Sequence, residues 1–179
     1  MPADISGLEL KPLERLEGDI QAPGVPQPPP IPGTYVGSAP DTFEYSATKN
    51  GDLMVTLGAV KIVAPTNAGF ELKFQRASSK TYKNRNSSPA IDYLRACGIT
   101  TIPGSNDELV ALVESTAGKP FQFDLDWEAY DKDDQTSIEG YENFPDDGKG
   151  GKAFYVKNPN TGNNLRARAR IRRFRTAGA

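Results

Sequence analysis

From Phe121 to Glu128 apolar and polar residues alternate without a break. Phe121, Phe123, Leu125 and Trp127 fall on one side, and Gln122, Asp124, Asp126 and Glu128 on the other. Successive side chains leave a β-strand in opposite directions, so this period of two predicts a strand with one buried and one wet face. The pattern recurs near the C-terminus, where Leu165, Ala167, Ala169 and Ile171 alternate with Arg166, Arg168, Arg170 and Arg172. Two such strands commit the chain to a sheet with a core on one side and water on the other.

Earlier segments read the same way. Residues 34–36 and 42–47 are rich in β-branched and aromatic side chains, and Lys49-Asn50-Gly51 supplies a turn. Leu53, Val55 and Leu57 then alternate with Met54 and Thr56, but past Gly58 the apolar phase moves by one, to Val60 and Ile62. A glycine at a phase shift predicts a bulge that bends the strand. Phe70, Leu72 and Phe74 alternate with Glu71, Lys73 and Gln75, which predicts a third strand with one wet face. Two helices follow. Ser88 and Pro89 open the first, which carries Ile91, Leu94 and Cys97 before Gly98; Ser105 to Glu108 form a capping box for the second, ended by Gly118.

Three strands, a helical insertion and two or more strands predict a mostly β fold. The arrangement expected is an OB-like curved sheet or barrel of about five strands, with the helices between the third and fourth. An open β-sandwich fits the same order. The OB-type layout anticipated here sets the fourth strand beside the first, and the fifth beside the first and third. The arginine row and the Asp124/Asp126/Glu128 row then need not touch, whereas direct pairing would give a cross-strand salt ladder.

Before this domain, residues 33–175, residues 1–32 read as an acidic, proline-rich flexible arm. Residues 22–32 hold six prolines, which favour an extended conformation over a packed element. Leu8, Leu10, Leu13 and Leu16 suggest a short docking segment that Pro12 interrupts.

Composition narrows the chemistry. The chain has no histidine and one cysteine, so Ser-His-Asp and Cys-His catalysis, the usual zinc sites and an internal disulfide cannot be built. Cys97 reads as a core thiol. No GxxxxGK[ST] or GxGxxG pattern follows a strand, and no apolar run approaches the ~18 residues of a membrane span. The reading is a cytoplasmic binding protein, not an enzyme, with no cofactor and no membrane partner. Carboxylate-only chemistry, with or without magnesium, is the remaining catalytic option.

A formal net charge of −2 hides a strong segregation. Residues 101–147 carry 2 basic and 13 acidic side chains, while residues 148–179 carry 9 basic and none acidic. Four arginines on one strand face recur every ~6.5–7 Å, near the spacing of phosphates in an extended single strand. Arg166, Arg168, Arg170 and Arg172 are therefore the first candidates for binding nucleic acid, and Arg173 and Arg175 extend that basic end. A second cluster, Arg76, Lys80, Lys83 and Arg85 around Tyr82, follows the third strand. Cations around an aromatic ring suit single strands, because bases stack while phosphates meet the charges. Lys152 and Tyr155 repeat the mixture, since one of Phe154 and Tyr155 must face outward. Residues 131–151 read as a long polar loop, and the acidic stretch Asp124 to Asp147 has three readings: a magnesium site, a solvated face, or a lid over the basic groove.

Several of these features together resemble the single-stranded DNA-binding proteins of tailed phages. The resemblance rests on Gly33-Thr34-Tyr35, the Thr48-Lys49-Asn50-Gly51 hairpin, Cys97-Gly98 ending a helical insertion, Gly118-Lys119-Pro120-Phe121, and the strand Asn164-Leu165-Arg166-Ala167-Arg168. It spans roughly residues 33–175 and implies an OB-like fold, single-stranded DNA as the ligand in preference to RNA, and work in replication or recombination, in the host cytoplasm if phage-encoded. Replication or recombination proteins and further copies of the chain are the implied protein partners. Such proteins often end in an acidic recruiting tail; here Arg175-Thr176-Ala177-Gly178-Ala179 stands in that place. The competing reading is a structural or assembly component, a virion or scaffold protein that docks neighbours through the arm.

Overall fold

The computed structural model describes residues 4, 6–12 and 27–176. It is mostly β, with antiparallel sheets and no closed barrel. Strands β1 (Gly33–Ser38), β2 (Phe43–Ala47), β3 (Leu53–Leu57), β4 (Val60–Ala64), β5 (Glu71–Leu72) and β6 (Gln75–Ser78) precede helices α1 (Pro89–Ala96) and α2 (Asn106–Glu114). After the helices come β7 (Pro120–Tyr130), β8 (Ser137–Glu139), β9 (Tyr155–Lys157), β10 (Asn164–Arg166) and β11 (Arg168–Arg175).

The expected bend at Gly58 is where one long hairpin passes from one sheet to another. On one side β2, β3 and β6 pair as a three-stranded sheet; on the other, β4 pairs with β1 and β5. Gly58 lies directly against the partner strand. Its amide donates to the Thr42 carbonyl at 3.1 Å, and a Cβ there would stand 2.7 Å from that same oxygen.

The third extended segment also breaks, against the expectation of one continuous strand. Leu72 is buried in β5, but the next inward residue is Gln75, because Phe74 adopts a φ of +58° and resets the phase. Phe70 and Phe74, expected beside Leu72, are exposed instead. Gln75 uses its buried amide as a one-residue strand. Its Nε2 donates to Ala169 O at 3.3 Å, and its Oε1 accepts from Ile171 N at 2.8 Å, so β6 reaches β11 through a side chain.

Strand β7 is the longest element and the spine of the larger sheet, with β11 on one side and β1 and, farther along, β8 on the other. Its inner face serves two cores. Phe121, Phe123 and Leu125 join Tyr35, Val55, Leu57, Ile62 and the inner faces of α1 and α2. Trp127 and Ala129 join Phe144, Leu165 and Ala167. Each large side chain so buried contributes roughly 1.5–3 kcal/mol. Both helices start as expected: Ser88 Oγ accepts from Ile91 N and Ser105 Oγ from Glu108 N, each at 3.2 Å. The Glu108 carboxylate, however, takes the Gly104 amide at 2.6 Å in place of the Ser105 amide. Cys97 is a core thiol, pushed up to about 11 by burial and therefore not an available thiolate near neutrality.

Two expectations about polar segments need correction. The end of the arm is not free: Pro29 and Pro30 are buried, Trp127 Nε1 donates to Pro30 O at 2.8 Å, and Tyr35 OH donates to Ile31 O at 2.7 Å. Trp127 must find an acceptor for its indole N–H once buried, and this carbonyl is the partner. Leu8 and Leu10 are exposed, while Leu13 and Leu16 of the suggested docking segment lie outside the described residues.

The acidic stretch, for its part, is not a long loose loop. β8 pairs with β7, Phe144 enters the second core, and Asp146 bridges to Lys152. The Asp131 carboxylate is buried, accepting from Asp133 N at 2.9 Å, Thr161 Oγ1 at 2.8 Å and Asn158 Nδ2 at 2.6 Å. These bonds, the backbone one first, hold its carboxyl below the ordinary 3.8.

Two stability predictions follow from this frame. Gly58→Ala is expected to cost about 1–3 kcal/mol in urea unfolding, because the strand crossing has no room for a methyl; unchanged stability would show that the crossing gives way. Asp131→Asn is expected to lower the melting temperature at pH 7. A depressed folded-state pKa gives stability that is present above the unfolded value and lost as pH falls through the folded one. The two proteins should therefore converge below pH 3.8, and a gap that persists in acid would place the effect elsewhere.

Candidate nucleic-acid interface

The arginine strand does pair with the Trp127 strand, contrary to the expected layout. In register, Arg168 faces Glu128, Arg170 faces Asp126, Arg173 faces Asp124 and Arg175 faces Gln122. The register shifts between Ile171 and Arg173, so Arg172 is the extra residue of a β-bulge. The bulge changes which arginines share a face. Arg168, Arg170, Arg173 and Arg175 stand opposite the wet-face residues of β7, and Arg172 is the unpaired extra residue among them. On the inner side Phe174 follows Ile171 and packs with Tyr93 and Phe121, at centroid distances of 5.4 and 6.1 Å. The sequence signal was the doublet Arg172-Arg173: strict alternation would turn Arg173 into the core and Phe174 out to water.

Opposed rows neutralise one another in part. Arg170 Nη1 lies 2.5 Å from Glu128 Oε2, Arg175 Nε 2.7 Å from Asp124 Oδ1, and Arg172 Nη1 3.9 Å from Glu139 Oε2. Partial burial pushes the Asp124 carboxyl up, but the bonds from Arg175 and from Thr34 Oγ1 outweigh it and hold its pKa below 3.8. Asp126 is spent on the backbone instead. Its Oδ1 accepts from Trp127 N at 2.7 Å and Tyr141 N at 2.9 Å. Among the described residues Arg166, Arg168 and Arg173 form no ion pair. Arg166 makes one long bond, Nη2 to Gln27 O at 3.4 Å.

The row continues at both ends into aromatic–cation pairs. On the β9–β10 ribbon Arg166 stands directly opposite Tyr155, which is the outward one of the Phe154–Tyr155 pair. At the other end a cleft of about 360 Å³ is lined by Arg85, Asp92, Arg173, Phe174, Arg175 and Thr176. It joins the end of β11 to the second basic cluster, which sequence reasoning had kept apart. There the Arg85 guanidinium covers one face of the Tyr82 ring, 4.4 Å from its centroid. Both are held by Asp92, which pairs with Arg85 and accepts from Tyr82 OH at 3.0 Å and Ser87 Oγ at 2.8 Å. Burial first, then the bond to Asp92, raises the Tyr82 pKa. Tyr82 and Arg85 are thus fixed to the first turn of α1 through Asp92.

The remaining candidates lie on β6, on the segment between β6 and α1, and before β9. Arg76 projects from β6 opposite Thr56, on the outer face of the three-stranded sheet. Lys80 and Lys83 are exposed. Lys152 is engaged by Asp146 at 2.7 Å. The acidic stretch touches the arginines through Glu139, while Asp131 and Asp134 accept from Asn158 in the turn between β9 and β10 and Asp147 is bonded within its own loop. No group of three or more His, Cys, Asp or Glu side chains among the described residues is arranged to hold a metal ion.

The result is a ledge of roughly 30 Å, from Arg166 to Arg175 at about 3.3 Å per residue, with Tyr155 at one end and Tyr82 at the other. Its ion pairs are half-exposed: 46% of the Arg170 side chain is accessible but 17% of Glu128, and 39% of Arg175 but 25% of Asp124. No protein-family model, curated protein or solved structure matches this chain.

Proposed function

We propose that this chain binds single-stranded nucleic acid without sequence preference, DNA before RNA, along the outer face of β11. The observation that carries the reading is the line of Arg166, Arg168 and Arg173. These cations lack carboxylate partners among the described residues and share one ledge with Tyr155 and Tyr82. Phosphates meet the arginines while bases stack on exposed rings, the recurring solution for a flexible polyanion with π-faces. The carboxylates of β7 moderate attraction without abolishing it, and they hold Arg170 and Arg175 extended over the ledge.

An OB-like fold fits the same reading. Five extended segments can be traced as β1–β2, β3–β4, β5–β6, β7 and β11, with both helices between the third and fourth. Ladders join first to second, second to third, first to fourth and fourth to fifth; Gln75 links third to fifth by its side chain alone. That order describes a curled sheet left open at one seam, in keeping with a partly open five-stranded barrel. The assembly reading loses some of its basis, since Gln27 to Pro32 are engaged by their own domain.

Titration with oligo-dT at two salt concentrations tests the proposal. Affinity is expected to fall with salt at a slope of about −0.7 per phosphate neutralised. Replacing Arg168 and Arg173 by alanine should flatten that slope by roughly 1.4 and weaken binding, whereas Arg76→Ala should leave both unchanged. Glu128→Gln, which releases Arg170, is expected to tighten binding at low salt. Oligo-dT affinity absent at low salt, or lost only through Arg76, would overturn the proposal; concentration-dependent oligomers without such affinity would select the assembly reading.

A further inference from the structure

Phe74 presents a combination that the fold alone does not require. Its side chain is 73% exposed, more than any other large apolar side chain described, and its backbone sits at φ +58°. Bulky residues rarely occupy that left-handed region, and a ring in water adds the exposure of its apolar surface. The local geometry has a clear purpose: it turns Gln75 inward, where its amide also donates to Lys73 O at 3.1 Å. Glycine or asparagine would make the same turn with less strain. The turn therefore accounts for the backbone and leaves the aromatic ring without a structural role. Outliers of this kind concentrate where a surface meets a ligand.

Its place in the fold says which ligand. Gln75 grips β11 at Ala169 O and Ile171 N, the two backbone groups on either side of Arg170. The Phe74 Cα is ~3.8 Å from that of Gln75, so the exposed ring starts from the chain that abuts β11 at Arg170. Tyr155 and Tyr82 stand at the ends, and the interval between them otherwise offers guanidiniums and no exposed ring on β11. We infer that Phe74 is a base-stacking platform for a single strand held along β11, supplying at mid-ledge what the tyrosines supply at its ends. This rests on the single-strand reading above and adds to it a residue whose contact is with bases and not with phosphate.

The test uses the full chain, oligo-dT and an abasic deoxyribose-phosphate oligomer of the same length. Phe74→Ala is expected to weaken oligo-dT binding about tenfold, in the range for loss of one stacked base, with the salt slope unchanged. Its affinity for the abasic oligomer should match that of the unaltered protein. Phe74→Trp should restore oligo-dT affinity and show added fluorescence quenching on binding, above that of the unaltered protein. If the unaltered protein binds oligo-dT and Phe74→Ala binds equally well, the inference fails while the single-strand reading stands. Equal weakening toward both oligomers would assign Phe74 a structural role and overturn the inference as well. If the unaltered protein binds neither oligomer, the reading itself fails and takes the inference with it.

Discussion

The pairing of β11 with β7, interrupted by one bulged arginine, is the constraint on which the rest of this molecule depends. β7 has an apolar face that completes two cores and a wet face lined with carboxylates. A strand laid beside it must match both faces. Through Ile171 the match is direct; beyond it the chain offers Arg172-Arg173-Phe174, which strict alternation would place with a guanidinium against Tyr93. Burying an unpaired charge there would cost several kcal/mol. One extra residue in the strand removes the conflict, returns Phe174 to the aromatic cluster with Tyr93 and Phe121, and sends Arg173 and Arg175 back to the wet side.

The same event decides the electrostatics. The bulge leaves Arg172 without a ladder partner, 3.9 Å from Glu139, and brings Arg173 and Arg175 to the mouth of the cleft beside Arg85. Two basic clusters more than eighty residues apart in the chain thus become one surface. Opposite them, Asp126 is withdrawn from the contest by two backbone amides, Glu128 takes Arg170 and Asp124 takes Arg175. What is left is a ledge of modest positive charge with its side chains held outstretched. Such a surface suits a ligand that is gathered over many weak contacts and released when salt competes.

Much of this architecture was legible from residues alone. The period-two runs located β7 and β11, Gly58 marked the passage between sheets, and Ser88-Pro89 and Ser105 marked both helix starts. Three things were not. Strand neighbours depend on long-range packing, so the sequence could not show that the arginine and carboxylate rows face each other. The break at Phe74 was hidden because Phe70, Leu72 and Phe74 keep perfect alternation, and only the inward turn of Gln75, serving as a surrogate strand, overrides it. The acidic stretch read as a loose loop because its anchors are a buried Phe144 and an Asp131 whose partners, Asn158 and Thr161, lie some thirty residues on. The arginines themselves were visible; which of them carry partners was not.

The most direct test is to map where a single strand lies. Photo-crosslinking of a short thymidine oligomer to the full chain, followed by peptide mass analysis, would report the contact surface without altering any residue. The account predicts adducts on the peptides that carry Tyr155 and residues 166–175, and on the segment holding Tyr82. Adducts confined to the outer face of β2, β3 and β6 would contradict it, for then the basic ledge would not be the surface that meets the strand.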